Sequence, residues 1–143
     1  MGEIINTCSG AISLAKKLED DSSEFYKTLS EKDPEHKDIF SSFAEENGKF
    51  YKQIERAYYG VISDALEGCF SFNIDPDLYE LKTELEGSET QESIKAALEI
   101  EDKIIEYYTL AAEQSKSLMA DVPRAFKLVV KKRQKRQDKL RSL

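Results

Sequence analysis

The sequence predicts an all-α protein, a four-helix bundle built as two helix pairs joined by a long crossover. Three observations predict it. First, the chain repeats itself: Ala15-x-x-Leu18-Glu19-Asp20-x-x-x-Glu24-Phe25-Tyr26 returns 82 residues later as Ala97-x-x-Ile100-Glu101-Asp102-x-x-x-Glu106-Tyr107-Tyr108. A second block, Phe40-x-x-Phe43-Ala44-x-x-Asn47-x-x-Phe50-x-x-x-Ile54, aligns with Phe126-x-x-Val129-Val130-x-x-Arg133-x-x-Arg136-x-x-x-Leu140. Second, inward positions recur at alternating steps of four and three, the spacing of a bundle seam. Third, 34% charged residues with only six Gly and three Pro suit long amphipathic helices. At 143 residues the chain reads as one domain, 1–143.

Helix one is expected from about Glu3 to Leu29, with Cys8, Ile12, Ala15, Glu19, Ser22, Tyr26 and Leu29 inward. Leu14, Leu18 and Phe25 widen that stripe. Asp33-Pro34-Glu35 has the form of a helix start, with a capping Asp, Pro at the first helical position and an acid in the first turn. Helix two then runs to about Leu66, with Phe40, Phe43, Ala44, Asn47, Phe50, Tyr51, Ile54, Tyr58 and Val61 inward. The crossover spans about 67–88 and is anchored by Phe70, Phe72 and Tyr79. Ser88-x-x-Gln91 is suited to cap helix three, which extends to about Leu118 with Ile94, Ala97, Glu101, Ile104, Tyr108 and Ala111 inward. Asp121-Val122-Pro123 opens helix four, whose inward set is Phe126, Val129, Val130, Arg133, Arg136 and Leu140. No segment reads as a strand.

Composition narrows the function classes. No run of 18 apolar residues would cross a membrane, and the N-terminus lacks the pattern of a signal peptide, so a cytoplasmic location is the default expectation. Cys8 and Cys69 form no C-x-x-C motif, which removes zinc knuckles, rubredoxin-type iron and dithiol redox chemistry. Residues 124–143 carry nine bases and one acid, net +8, whereas residues 1–123 carry 12 bases and 27 acids, net −15. The natural partner of the basic segment is the rest of the same molecule. Nucleic-acid binding through Lys131-Lys132-Arg133-Gln134-Lys135-Arg136 is not expected, because the run lies on a bundle helix and no aromatic residues interleave it.

The repeated Glu-x6-Tyr, followed by a Phe-x-x-Leu-Ala-x-x-Glu-x-x-His pattern, resembles the rubrerythrin branch of the ferritin-like di-iron proteins over nearly the whole chain. The resemblance implies a ferritin-like bundle in which helices one and three each give one Glu to two irons, and helices two and four each give a Glu-x-x-His pair. Carried over position by position, Glu19 and Glu101 match the single glutamates. The helix-two pair is Asn47 and Phe50 here, and the helix-four pair is Arg133 and Arg136. A one-residue slide brings Glu46 and Lys49, or Lys132 and Lys135, to those places and supplies no His. The only His, His36, is expected on the surface in the first turn of helix two.

Two of six ligand positions thus keep their carboxylates, and two have become fixed cations. Glu19 and Glu101 are expected on one diagonal pair of helices. Arg133 and Arg136 are expected to replace the metals in a buried ion cluster through bidentate hydrogen bonds, with Asn47 bridging and Tyr26 and Tyr108 donating hydroxyls. The expectation is a non-catalytic scaffold or interaction bundle with no cofactor. It is a candidate homodimer through Tyr58, Tyr59, Phe70 and Phe72. The alternative is an iron-binding oxidoreductase acting on peroxide or oxygen, its altered site using Glu19, Glu101 and Asn47 with Glu46 or Tyr51.

Overall fold

The computed structural model of the chain describes residues 3–61, 72–85, 89–116 and 121–143. Among these residues the protein is all-helical, with four α-helices and no strand: α1 (Cys8–Lys32), α2 (Lys37–Val61), α3 (Thr90–Gln114) and α4 (Asp121–Arg141). Helix α1 packs chiefly on α2 and α3 on α4, while α2 meets α4 and α1 meets α3 across the two pairs. The diagonals are therefore α1/α4 and α2/α3. No helix among the described residues is long and apolar enough to cross a membrane.

Each seam buries the residues that the four-three spacing selects. In α1, Cys8, Ile12, Ala15, Glu19, Ser22, Tyr26 and Leu29 are all buried, and α4 buries Phe126, Val129, Arg133, Arg136 and Leu140. In α3, Ser93 is buried and Ile94 only half-buried, a slip of one position at the helix start. Tyr51 and Val130 are likewise half-buried. The side chain of Val61 lies outside the described residues, as do Leu66, Cys69, Phe70, Ser88 and Leu118.

Several boundaries differ from expectation for local reasons. Helix α1 begins at Cys8 rather than Glu3, because the Thr7 hydroxyl accepts from the Gly10 N–H at 3.0 Å and caps the helix there. The preceding residues are extended, with Ile5 and Ile74 exchanging backbone hydrogen bonds of 2.7 and 2.9 Å in an isolated antiparallel bridge. Local spacing carries no trace of a pairing between residues so far apart in sequence. Gly10 allows it, since a Cβ there would stand 3.0 Å from Ile5 Cγ2. Asp33 is not a backbone cap. Pro34–His36 form a short 3₁₀ turn before α2, and the Asp33 carboxylate instead takes the His36 ring at 2.9 Å and the Thr90 hydroxyl at 3.2 Å. His36 is therefore half-buried at the α1–α2 junction, packed edge-on to Phe40, rather than a free surface residue. The described part of the crossover lies against the bundle through buried Phe72 and Tyr79, the latter ring 5.2 Å from that of Tyr107.

Candidate functional site: a buried ion network at the bundle centre

Midway along the bundle the apolar seam is interrupted by one polar layer. Glu19 comes from α1, Asn47 from α2, Glu101 from α3, and Arg133 and Arg136 from α4. All five are buried, and Arg133 and Glu101 have no exposed surface. Burying charge is tolerable only when it is paired and its donors and acceptors are satisfied.

Arg133 is the hub. Its Nη1 donates to both oxygens of Glu101, at 2.6 and 2.9 Å. Its Nη2 donates to Glu19 Oε1 and, at 3.3 Å, to Asn47 Oδ1. One guanidinium therefore spans two carboxylates, rather than each arginine clamping one acid in a bidentate pair. The placement of the acids is a correction: α1 and α3 are neighbours rather than a diagonal pair, so Glu19 and Glu101 sit side by side, while both cations come from α4 as expected.

The tyrosines complete the carboxylates crosswise. Tyr26 of α1 donates to Glu101 Oε2 of α3 at 2.6 Å, and Tyr108 of α3 donates to Glu19 Oε2 of α1 at 2.6 Å. The sequence repeat thus appears in space as an approximate exchange symmetry between the two helices. Burial, and then the adjacent carboxylate, pushes both phenols well above their ordinary range, so both stay protonated as donors.

Arg136 serves the α2 side. It donates to Asn47 Oδ1 at 2.8 Å, to the Phe43 carbonyl at 3.2 Å and to Glu46 Oε1 at 2.7 Å, and it stands 3.6 Å from Glu101. Asn47 in turn donates to Ser22 Oγ at 2.8 Å. Glu46 enters the network as an ion partner at its half-exposed edge. Its adjacency to Asn47 on the helix side facing α4 is the only sequence signal of that role. Phe50, at the matched histidine position, lies against both guanidiniums, its ring centre 5.3 Å from Arg133 and 5.2 Å from Arg136. Neither buried Nε has a hydrogen-bond partner, and these ring contacts give the cations partial compensation.

The electrostatics follow the count of donors. Burial pushes the Glu101 carboxyl upward, but Arg133, Arg136 and Tyr26 outweigh it, and the group lies below its ordinary range. Glu19 has one guanidinium and one phenol, and for it burial prevails, so the carboxyl is raised. Burial also works against the charge of Arg133, yet Glu101 and Glu19 more than offset it and hold the guanidinium charged. Every carboxylate oxygen in the layer is already an acceptor for a fixed donor. The arrangement offers no nucleophile and no uncommitted ligand set.

The remaining sequence candidates lie elsewhere. Tyr58 and Phe72 are buried in the core, so of the expected aromatic interface only Tyr59, 67% exposed, is at the described surface. Tyr51 is half-buried on α2 and takes no part in the layer. Of the basic run on α4, Arg133 and Arg136 point inward, while Lys131 and Lys135 are exposed and Lys132 is half-buried. Comparison with protein-family models, with curated proteins and with solved structures finds no match to this chain.

Proposed function

We propose that this protein is a ferritin-like bundle of the rubrerythrin type in which fixed cations have taken over the task of the irons, and that it works as a non-catalytic scaffold or interaction bundle. The observation that carries the proposal is Arg133. Its guanidinium lies wholly inside the bundle, between Glu19 and Glu101, the two residues matched to di-iron ligands. Relatives of that type would need positive charge between those carboxylates, and a delocalised cation with a fan of donors meets the same electrostatic need without redox chemistry.

The residues present do not fit a pair of irons. A metal would have to displace the guanidinium from both carboxylates and settle beside a second arginine. Asn47 is a weak neutral donor, Phe50 has no ligand atom, and the one histidine is committed to Asp33 at the α1–α2 junction.

Metal analysis of freshly purified protein tests the proposal, together with the combined substitution Asn47→Glu, Phe50→His, Arg133→Glu and Arg136→His. The expected result is no stoichiometric iron or manganese in the parent and two irons in a folded quadruple variant. Stoichiometric iron in the parent would overturn the proposal in favour of an oxidoreductase with an altered site. A folded quadruple variant that takes up no iron would overturn the ferritin-like assignment.

A further inference from the structure

Between α3 and α4 the surface holds a groove of about 480 Å³, within the roughly 300–1,000 Å³ of small-molecule sites. Ala112 of α3, buried, and Val130 of α4, half-buried, line it with hydrocarbon. Lys127 and Lys131 stand exposed on its α4 wall, one turn apart, and Thr109 is exposed on its α3 wall. The methylene stems of the lysines extend the apolar lining while their ammonium groups stay in water.

The charge around this hydrocarbon is unbalanced. Two ammonium groups one turn apart on a helix repel each other. Among the described residues the exposed ion pairs of α4 are formed by Arg124 and Arg141, and neither lysine of the groove takes part in one. Glu113 is the one acid in the lining, and the adjacent Lys116 already holds it at 2.5 Å, with Lys127 adding only a weaker pull. The groove therefore presents an apolar floor beside an excess of positive charge.

We propose that this groove binds a small amphipathic anion, an aliphatic carboxylate of medium chain length. The hydrocarbon chain covers Ala112 and Val130, and the carboxylate lies between Lys127 and Lys131, where it removes their mutual repulsion. The Thr109 hydroxyl is the hydrogen-bond donor available on the facing wall. Size selects the occupant. The α4 lining runs from residue 127 to residue 134, about 10 Å of helix. A helix of a partner protein would need an apolar strip several turns long, whereas this floor has one apolar residue from each helix. Charge selects the head group, since an alkyl cation would add a third positive charge and a neutral chain would leave the lysines uncompensated. Both ammonium groups are exposed, so binding is weakened by salt. The inference stands on the groove alone and holds whether or not the bundle is ferritin-like, since its test reads amide shifts and the earlier one reads metal.

Titration of the full chain with octanoate in low salt, followed by amide nitrogen–proton correlation spectra, tests it. Saturable shifts are expected at Thr109, Ala112, Val130 and Lys131, with half-saturation at about 1 mM, ordinary for a small ligand in an open groove. Octylammonium, which keeps the chain and reverses the charge, and propionate, which keeps the charge and shortens the chain, should each bind far more weakly. The double variant Lys127→Met with Lys131→Met keeps the stems and removes the charges. It should bind octanoate about tenfold more weakly, since two exposed ion pairs contribute at most about fivefold each. Val130→Glu should abolish binding while the helical circular dichroism stays that of the parent. Shifts that do not saturate or lie elsewhere, octylammonium or propionate binding as tightly as octanoate, or a double variant that binds like the parent would each overturn the proposal. So would association with phosphatidylglycerol vesicles in place of a response to octanoate, which would assign the face to a membrane surface.

Discussion

Replacing Arg133 by methionine removes the one cation that touches both central carboxylates and leaves a side chain of similar length. Glu19 and Glu101, 2% and 0% exposed, would then keep Tyr26, Tyr108 and the more distant Arg136 as compensation. Removing one partner of a buried ion set costs about 3–5 kcal/mol. That is a large share of the roughly 5–15 kcal/mol that holds a domain folded. The loss also has a definite pH signature. Without the guanidinium, burial and mutual repulsion raise both carboxyls above their unfolded value near 4.3. Between that value and the raised one, the folded state binds more protons than the unfolded state, so stability falls as pH rises. The slope is about 1.4 kcal/mol per pH unit for each proton. In the parent the two acids oppose each other. Lowered Glu101 contributes stability above its unfolded value, lost as pH falls through its folded one, while raised Glu19 acts in the reverse sense.

Urea denaturation followed by circular dichroism between pH 5 and pH 8 reads both quantities. The Arg133→Met variant should be weakest at pH 8 and recover toward pH 5, while the parent changes far less. Adding Glu19→Gln and Glu101→Gln to Arg133→Met should restore most of the lost stability at neutral pH, because replacing a whole buried ion set is far less harmful than breaking it. A loss below about 1 kcal/mol with a flat pH profile would refute the reasoning, since an arginine inside the bundle cannot be that dispensable.

Other perturbations should rank in a defined order. Tyr108→Phe should destabilise more than Tyr26→Phe, because Glu19 has one guanidinium donor beside Tyr108 whereas Glu101 keeps Arg133 at both oxygens. The larger loss should reach about 1.5–3 kcal/mol, the range for a hydrogen bond to a charged group, and chemical denaturation measures both. Arg136→Met should cost less than Arg133→Met, because its closest acid, Glu46, is 42% exposed and regains water when the arginine leaves. Thr7→Ala should lower stability by about 1 kcal/mol through loss of the α1 cap, with hydrogen exchange rising first at Ala11 and Gly10.

The part of this structure legible in the sequence is the part encoded by short periods. Residues three or four apart on a helix share a face, so the seam could be followed through Glu19, Asn47, Glu101, Arg133 and Arg136 without any coordinates. What was not legible depends on distances between helices. Nothing in the spacing of Tyr26 says that its hydroxyl passes Glu19 on its own helix and reaches Glu101 on another. Glu46 can be placed beside Asn47 from its spacing, but its pairing with Arg136 depends on how α4 packs on α2. The start of α1 is partly of this kind, since Ile4 and Ile5 are apolar enough to extend the helix, and the distant Ile74 pairs with Ile5 ahead of the local Thr7 cap. A ferritin-like topology was likewise an expectation carried by motif positions, and the helix contacts alone define it no further than a four-helix bundle.

The source of the cations matters for how the bundle holds together. Metal ions would draw ligands from all four helices and tie them equally. Here both guanidiniums belong to α4, and their acceptors are distributed over α1, α2 and α3. Helix α4 is therefore the electrostatic keystone, and the acids of α1 and α3 have no comparable cation without it. This accounts for two of the nine bases in the basic segment 124–143. Two positive charges of the basic segment are consumed inside, where only an arginine fork can reach two carboxylates and an amide together. The lysines remain at the surface, where a flexible ammonium keeps its hydration. Every base of α4 that is buried among the described residues is Arg, whereas its exposed bases are the lysines together with Arg124 and Arg141. Exchanging the types, with Arg133→Lys inside and Lys131→Arg outside, should separate the two roles. The first should cost stability, because one ammonium cannot span Glu19 and Glu101, and the second should leave stability nearly unchanged. Equal effects from the two would mean that net charge alone matters, and the hub geometry would have no part in stability.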